Sequence, residues 1–370
     1  MEKISKSGAK AQRMSNIELL RIITALGVII LHYNNANLGG GFKFVEGNAN
    51  KIVLAFFQAC FICAVNLFIL ISGYFMRHSQ KRDLLKPIEL IGQLVILEGI
   101  FLCINELPNG EALTLEKALS YFKPGYWFVF VYVALYLISP YINIVWEKLT
   151  KDGKKVLMAI MIGLFAIYPM IIDMFSYISK IEMTGTTTVG LDGAQAGYTI
   201  VNFALMYIIG LFLRDKDEAG EENTKKNSKT VLLLILNILV ILIWSIVDLT
   251  VFNRGTALIP AWNYYNPFVI TEAILFFTLF KNLKIKHNPV INLLATASFP
   301  SYLIHMNLLK YFGIENMVKG NPGLLILHII GCAVAIYIIS FIINFIYGLI
   351  FNPLIRLIGK RWTKNRKYEA

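Results

Sequence analysis

Residues 16–35, NIELLRIITALGVIILHYNN, are apolar enough to cross a bilayer, yet they carry Arg21 and His32 eleven positions apart. A helix needs about 20 mostly apolar residues to span a hydrocarbon core roughly 30 Å thick. Residues 17–34 come close to that length, and comparable apolar blocks follow at 52–75, 84–105, 127–146, 156–173, 198–213, 231–252, 266–283, 290–311 and 324–350. The blocks at 198–213 and 266–283 are short or polar at one end. Long apolar runs, rather than strict alternation with polar residues, are the pattern of helices and not of half-buried strands. The sequence predicts an all-α fold, a polytopic membrane helix bundle of about ten transmembrane helices.

Composition agrees, since the 370 residues are 56% hydrophobic and only 16% charged, with a positive mean hydropathy. Charge sets the orientation, because cytoplasmic loops collect Lys and Arg. One set of loops holds 26 of them: Lys3, Lys6, Lys10 and Arg13 at the start, the clusters at 77–86, 148–155, 214–229 and 281–286, and Arg356 to Lys367 at the end. The alternate set holds seven: Lys43, Lys51, Lys117, Lys123, Lys180, Arg254 and Lys319. Both termini are therefore expected to be cytoplasmic. Residues 1–370 read as a single integral membrane domain, with a cytoplasmic N-terminal tail at 1–15 and a basic cytoplasmic C-terminal tail at 351–370.

The formal charge of +12 faces an anionic leaflet in this arrangement, so membrane lipid accounts for it and no nucleic acid partner is expected. The first apolar run is too long for a cleavable signal and lacks its small-residue exit, so it is expected to remain as the first span. Cys60, Cys63, Cys103 and Cys332 all fall within expected spans. The CxxC at 60–63 has no second ligand pair, which makes these packing residues, and no metal is expected. Trp127, Trp146, Trp262 and Trp362 stand at span ends, where interfacial aromatics collect. The stretch 214–230, RDKDEAGEENTKKNSKT, reads as a mobile charged linker. The threonine-rich loop at 179–197 reads either as a plain connector or as the border of an acceptor site.

An ionisable side chain inside the hydrocarbon is costly, and it marks a functional site unless it snorkels from a span end. That filter leaves Glu18, Arg21, His32, Glu98, Glu272 and His305. Eleven residues of helix rise about 16 Å and turn about 1100°, three turns plus about 20°, so Arg21 and His32 share a face. Glu18, three residues before Arg21, is placed to pair with it. Under the expected orientation Glu98, Glu272 and His305 lie in the outer half, as His32 does, and a polar cluster there is one reading. A guanidinium near the inner mouth suits a phosphate-bearing donor. A histidine can take a hydroxyl proton or carry an acyl group. The separation is comparable to the extended pantetheine arm of coenzyme A.

At this point the residues resemble a known family. Arg21-x10-His32 in the first span is similar to the hallmark of the membrane-bound acyltransferase 3 family, whose members acylate cell-surface polysaccharides and related acceptors. AVNLFILISGYFM (64–76), YWFVFVYVALYLISPYIN (126–143) and SFPSYLIHMNLL (298–309) resemble three further family stretches in the same order. The similarity runs from about residue 16 to 350. It implies a ten-helix fold, an acyl-CoA donor with no permanently bound cofactor, and essential roles for Arg21 and His32. Ser72, Gly73, Tyr74, Trp127 and His305 match only recurring motifs; a helix-end turn that Gly73 permits is the plainer reading of Ser72 and Tyr74, and an interfacial position is the plainer reading of Trp127.

The expected function is that of an integral membrane O-acyltransferase in a bacterial plasma membrane. It would move an acyl group, most often acetyl in such proteins, from cytoplasmic acyl-CoA to a hydroxyl of a cell-surface glycan or its lipid-linked precursor. His32 and Arg21 are the candidate catalytic residues, and Glu18, Ser72, Tyr74, Glu98, Trp127, Glu272 and His305 are candidate substrate-binding residues. Some family members carry an extracytoplasmic hydrolase-like domain; none is expected from these residues, so the chain would complete the transfer itself or hand the group to a separate extracytoplasmic transferase protein. The alternative is a transporter or flippase for a lipid-linked saccharide, with the buried charges lining a path.

Overall fold

The computed structural model describes residues 13–365 except 110–111, 113, 122–125, 182, 184–185, 221–226, 253–254 and 257–258, without the side chains of 109, 121, 352 and 354–365. Lys3, Lys6, Lys10, Lys123, Lys225, Lys226, Arg254, Arg366 and Lys367, and the side chains of Arg356, Lys360, Arg361, Trp362 and Lys364, lie outside the described residues. Among the described residues the fold is all-helical, with no strand.

The helices are α1 (Ser15–Asn34), α2 (Gly41–Phe44), α3 (Asn48–Phe61), α4 (Ala64–Phe75), α5 (Leu85–Glu106), α6 (Leu115–Tyr121), α7 (Trp127–Lys148) and α8 (Lys151–Ile162). They continue as α9 (Tyr168–Ser179), α10 (Ile200–Glu218), α11 (Asn227–Ile246), α12 (Pro267–Lys281), α13 (Pro289–Leu294), α14 (Ser298–Leu309), α15 (Ile314–Val318) and α16 (Pro322–Asn365).

Among the described residues seven helical stretches are long and apolar enough to cross a membrane: Ser15–Asn34, Asn48–Phe75, Leu85–Glu106, Trp127–Lys148, Lys151–Ser179, Asn227–Val251 and Pro322–Phe351. The other three expected spans are helical for identifiable but lesser lengths. Pro267 starts α12 with Asn266 as its cap, which leaves 15 residues. α10 has 19 residues, but its last turns are charged from Arg214 to Glu218. The block at 290–311 is broken by a 3₁₀ turn at Ala295–Ala297. Pro300 lacks an N–H and is best accommodated in a first helical turn, and the helix restarts at Ser298.

α1 is the central helix. Sixty-seven per cent of its apolar window is buried, against 17% for Lys151–Ser179, whose Val156, Ile160, Leu164 and Ile171 are exposed. An outer ring of exposed apolar side chains around a packed centre is the surface that lipid tails cover.

Polar contacts gather at the end where α1 begins. Asn16 donates to the carbonyls of Lys281 and Leu283, and Ser15 donates to Asn292. Asp215 binds Arg77, Lys154 and the Trp146 indole, and Asp217 accepts from Tyr74 and Lys281. The residues 214–218, read from sequence as part of a mobile linker, are therefore the last turns of α10 and are pinned by cations of three neighbouring segments. Trp146 and Trp262 are likewise buried inside the bundle, Trp262 donating to Ser245, rather than standing in a lipid interface.

Gly73 is helical and makes no bend. A Cβ on Gly73 would stand 2.1 Å from the Tyr207 carbonyl oxygen, and one on Gly210 would stand 2.4 Å from that of Leu70. Small residues let two membrane helices approach backbone to backbone, and here they seat α4 on α10. Backbone atoms cannot rotate away, so Gly73→Ala is expected to lower stability by about 3 kcal/mol, the upper part of the overpacking range. Thermal unfolding of the detergent-solubilised protein checks this.

Candidate active site

A cavity of about 450 Å³ follows α1 along most of its length. Glu18, Arg21, Val28, Leu31 and His32 form one wall. From Glu18 to His32 the helix rises about 21 Å, so the cavity is an elongated channel rather than a cup. At its basic end it is bordered by Arg13 and Lys86, with Gln93, Thr296 and Asn344 nearby; at the other it reaches Trp127, Tyr198 and Tyr264. The face shared by Arg21 and His32 is thus the face that lines the cavity.

Each end has its own chemistry. Arg21 Nη1 donates to Glu18 Oε1 at 3.0 Å, the i,i+3 pair expected from the spacing, and Arg21 remains about one-third exposed while Glu18 is nearly buried. Arg13 Nη1 donates to the Asn292 carbonyl at 3.2 Å, which holds a second guanidinium at this mouth. Lys86 also pairs with Glu89 at 3.4 Å, so three cations stand against two carboxylates, and the net positive charge makes this end attractive to anions.

The far end is aromatic. Trp127 packs on Tyr198 with centroids 4.7 Å apart, and Tyr198 stands edge-on to Tyr264 at 4.9 Å. Phe128, Tyr132 and Tyr302 continue the wall, and Ser72 Oγ lies 3.3 Å from Tyr132 Oη. Two buried amides place Tyr264: Asn202 donates to Asn66 Oδ1, and Asn66 donates to the Tyr264 carbonyl. A second tie joins the Tyr264 N–H to the Ala196 carbonyl, which brings the C-terminal end of the threonine-rich loop to the cavity's rim.

His305 meets His32. Their ring planes lie within 9° and their centroids 4.5 Å apart, with His32 Nδ1 facing His305 Nε2 in a hydrogen bond. His305 is fully buried on α14 and does not line the cavity, whereas His32 does.

Of the residues singled out in the sequence, Glu18, Arg21, His32, Ser72 and Trp127 line the cavity and His305 touches it through His32. Glu98 is one layer removed: its Oε1 accepts from Tyr126 at 2.5 Å and Asn307 at 3.0 Å, so it braces α14 and the residue before Trp127. Tyr74 lies at the basic end, bonded to Asp217 at 2.7 Å and covered by the Arg214 guanidinium, where it ties α4 to α10 outside the cavity.

Glu272 does not join the outer cluster. It is fully buried on α12 beside the Cys63 thiol, a weak donor that satisfies neither carboxyl oxygen. An unsatisfied buried polar group costs about 1–3 kcal/mol, so Glu272→Met, similar in volume and apolar, is expected to raise the thermal midpoint. Activity measured on the same preparation is expected to stay at the wild-type level, because position 272 does not line the cavity.

Sequence reasoning missed Tyr132, Tyr198, Tyr264 and Tyr302 because single tyrosines carry no signal in a chain that has 18 of them. It missed Arg13 and Lys86 because charged residues at span ends are ordinarily bound to water, and Gln93 and Asn344 because uncharged amides do not pass a filter set for ionisable groups. Among the described residues no group of three metal-ligating side chains is assembled.

A protein-family comparison matches residues 14–345 to the acyltransferase 3 family model, described as an acyltransferase domain. Comparison with curated proteins and with solved structures returned no match.

Proposed function

This chain belongs to the acyltransferase 3 family, and from that premise we propose that it is an integral membrane O-acyltransferase drawing on acyl-CoA, with acetyl as the expected group. The observation that carries the reading is the single cavity that Arg21 and His32 share, with cations at one mouth and aromatics at the other. Arg13, Arg21 and Lys86 would hold the donor's phosphates, guanidinium groups being suited to fork onto phosphate oxygens. The pantetheine arm would run along α1 and bring the thioester to His32.

The acceptor would be a hydroxyl of a surface glycan or its lipid-linked precursor, with Trp127, Tyr198 and Tyr264 offering flat faces to a sugar ring. The hydroxyl oxygen attacks the thioester carbonyl, a C–O bond forms, and the C–S bond breaks. His32 takes the hydroxyl proton, which ends on the departing coenzyme A sulfur. Alternatively the His32 imidazole attacks the thioester first, forming a C–N bond as the C–S bond breaks and the thiolate leaves; the acceptor hydroxyl then forms the C–O bond, the C–N bond breaks, and the hydroxyl proton ends on the coenzyme A sulfur.

The basic mouth would face the cytoplasm. Support comes from the gathering of Arg77, Lys154, Arg214 and Lys281 with the start of α1 at one end of the bundle, as the positive-inside bias requires. Ten traverses with both termini cytoplasmic fit that arrangement, in a multi-pass protein of a bacterial plasma membrane. Whether a separate extracytoplasmic transferase takes the acyl group onward depends on the acceptor.

The reading is tested by supplying radiolabelled acetyl-CoA to membranes that contain or lack the protein. Label in surface polysaccharide, with stoichiometric release of free coenzyme A thiol, is expected only with the protein. Movement of a lipid-linked saccharide without acyl-CoA consumption would instead establish a transporter.

A further inference from the structure

We infer that His305 is a positioning residue that fixes which nitrogen of His32 carries the proton, leaving Nε2 of His32 as the bare, basic nitrogen at the cavity. The inference rests on the proposed role of His32 as base or acyl carrier. It follows from a chain of hydrogen bonds in which, with both rings neutral, only one assignment of protons is consistent.

The chain starts at the Ser301 carbonyl, 3.0 Å from His305 Nδ1. A carbonyl oxygen has no hydrogen to give, so Nδ1 of His305 donates. A neutral imidazole carries a single N–H, so Nε2 of His305 has none and presents a lone pair. That lone pair faces His32 Nδ1. Two bare nitrogens would repel, so His32 Nδ1 carries the proton and donates. The remaining polar atom of His32 is Nε2, unprotonated, on a ring that lines the cavity.

The same arrangement accommodates the next state. When His32 Nε2 takes a proton the ring becomes a cation with both nitrogens protonated, and its Nδ1–H donates to the same lone pair, now as a stronger charge-assisted bond. No proton on His305 has to move. In this respect His305 does for His32 what an outer partner does for many reactive or metal-bound histidines, which is to fix the tautomer and the ring orientation.

Burial supports a positioning rather than a substrate-binding role. His305 is fully buried, its helix is held by Tyr126 donating to the Leu303 carbonyl, and Asn307 one turn on is clasped by Glu98. His305 itself is not among the residues that line the cavity, so its contact with the site is the one it makes with His32.

The test uses full-length protein in lipid nanodiscs, with His305→Gln and His305→Leu as a pair. Glutamine offers an amide oxygen where Nε2 lies; leucine fills the space and offers no acceptor. Nitrogen NMR of the ¹⁵N-histidine-labelled protein, with its five histidines and the His32 signals assigned by their loss in His32→Gln, reads the tautomer without any substrate. In the wild type Nδ1 of His32 is expected protonated and Nε2 bare, and in His305→Leu this preference is expected to be lost.

With acetyl-CoA, His305→Leu is expected to lower kcat by about 10- to 100-fold, the usual cost of losing such a partner, while KM for acetyl-CoA holds and His305→Gln restores most of kcat. A wild-type His32 protonated at Nε2 overturns the inference, as does a kcat that falls equally in both variants or in neither. If the wild type transfers no acyl group, the proposed function fails, and the tautomer reading still decides the role of His305.

Discussion

Replacing His32 with alanine is expected to lower kcat for acyl transfer by about 10²–10⁴-fold, the usual contribution of a positioned general base, with little change in KM for acyl-CoA. The kcat-selective loss follows from the placement of His32. It lies about 16 Å along α1 from Arg21, on the same cavity wall, so it takes no part in holding the donor's charged end. The variant should fold, because His32 is partly exposed to the cavity and its removal leaves only His305 to be rehydrated. Rapid quench without acceptor separates the two roles left open for His32. Label retained by wild-type protein and absent from His32→Ala assigns an acyl carrier; label retained by neither assigns a base.

Arg21→Ala is expected to act on the other parameter. Hydrogen bonds to charged groups contribute about 1.5–3 kcal/mol, equivalent to roughly a 10- to 150-fold rise in KM for acyl-CoA with kcat largely kept. The loss has two parts. One is the missing phosphate contact; the other is Glu18, which without its 3.0 Å partner leaves an unopposed carboxylate at the donor's entrance. The double change Arg21→Ala with Glu18→Gln is therefore expected to recover part of the affinity. Arg21→Lys is expected to fall between, since an ammonium retains the charge but not the fork. Steady-state kinetics across acyl-CoA concentrations check all three.

Much of this was legible in the sequence because membrane physics leaves few choices. Runs of about 20 apolar residues in a bilayer become helices, and an eleven-residue spacing places Arg21 and His32 on one face whatever surrounds them. The pair Glu18–Arg21 followed from the i,i+3 rule for the same reason. The rest required knowing which helices touch. His305 and Glu272 look alike in sequence, each a lone ionisable residue in an apolar run. One meets His32 across 273 positions, while the other faces the α3–α4 corner beside Cys63.

Local rules also misassigned residues that have two uses. Gly73 in Ser-Gly-Tyr suggests a turn, but its missing Cβ makes room for Tyr207 on α10. The aspartates at 215 and 217 suggest a solvated linker, but Arg77, Lys154 and Lys281 meet them from other segments of the chain. Tyrosines at 198 and 264 are separated by 66 residues and come together only because Ala196 and Asn66 hold the chain there.

In the proposed reaction one cavity along α1 receives a donor at its basic end and delivers an acyl group at its aromatic end. This reaction is tested most directly by sidedness. Purified protein is sealed into vesicles in a known orientation, with radiolabelled acetyl-CoA on the face bearing Arg13 and Lys86 and isolated surface polysaccharide in the opposite compartment. Label on the polysaccharide across the bilayer is expected, with free coenzyme A retained on the donor side, and neither is expected with His32→Ala. Label that appears only when donor and acceptor share a compartment, or intact acetyl-CoA recovered on the far side, would contradict the proposed reaction.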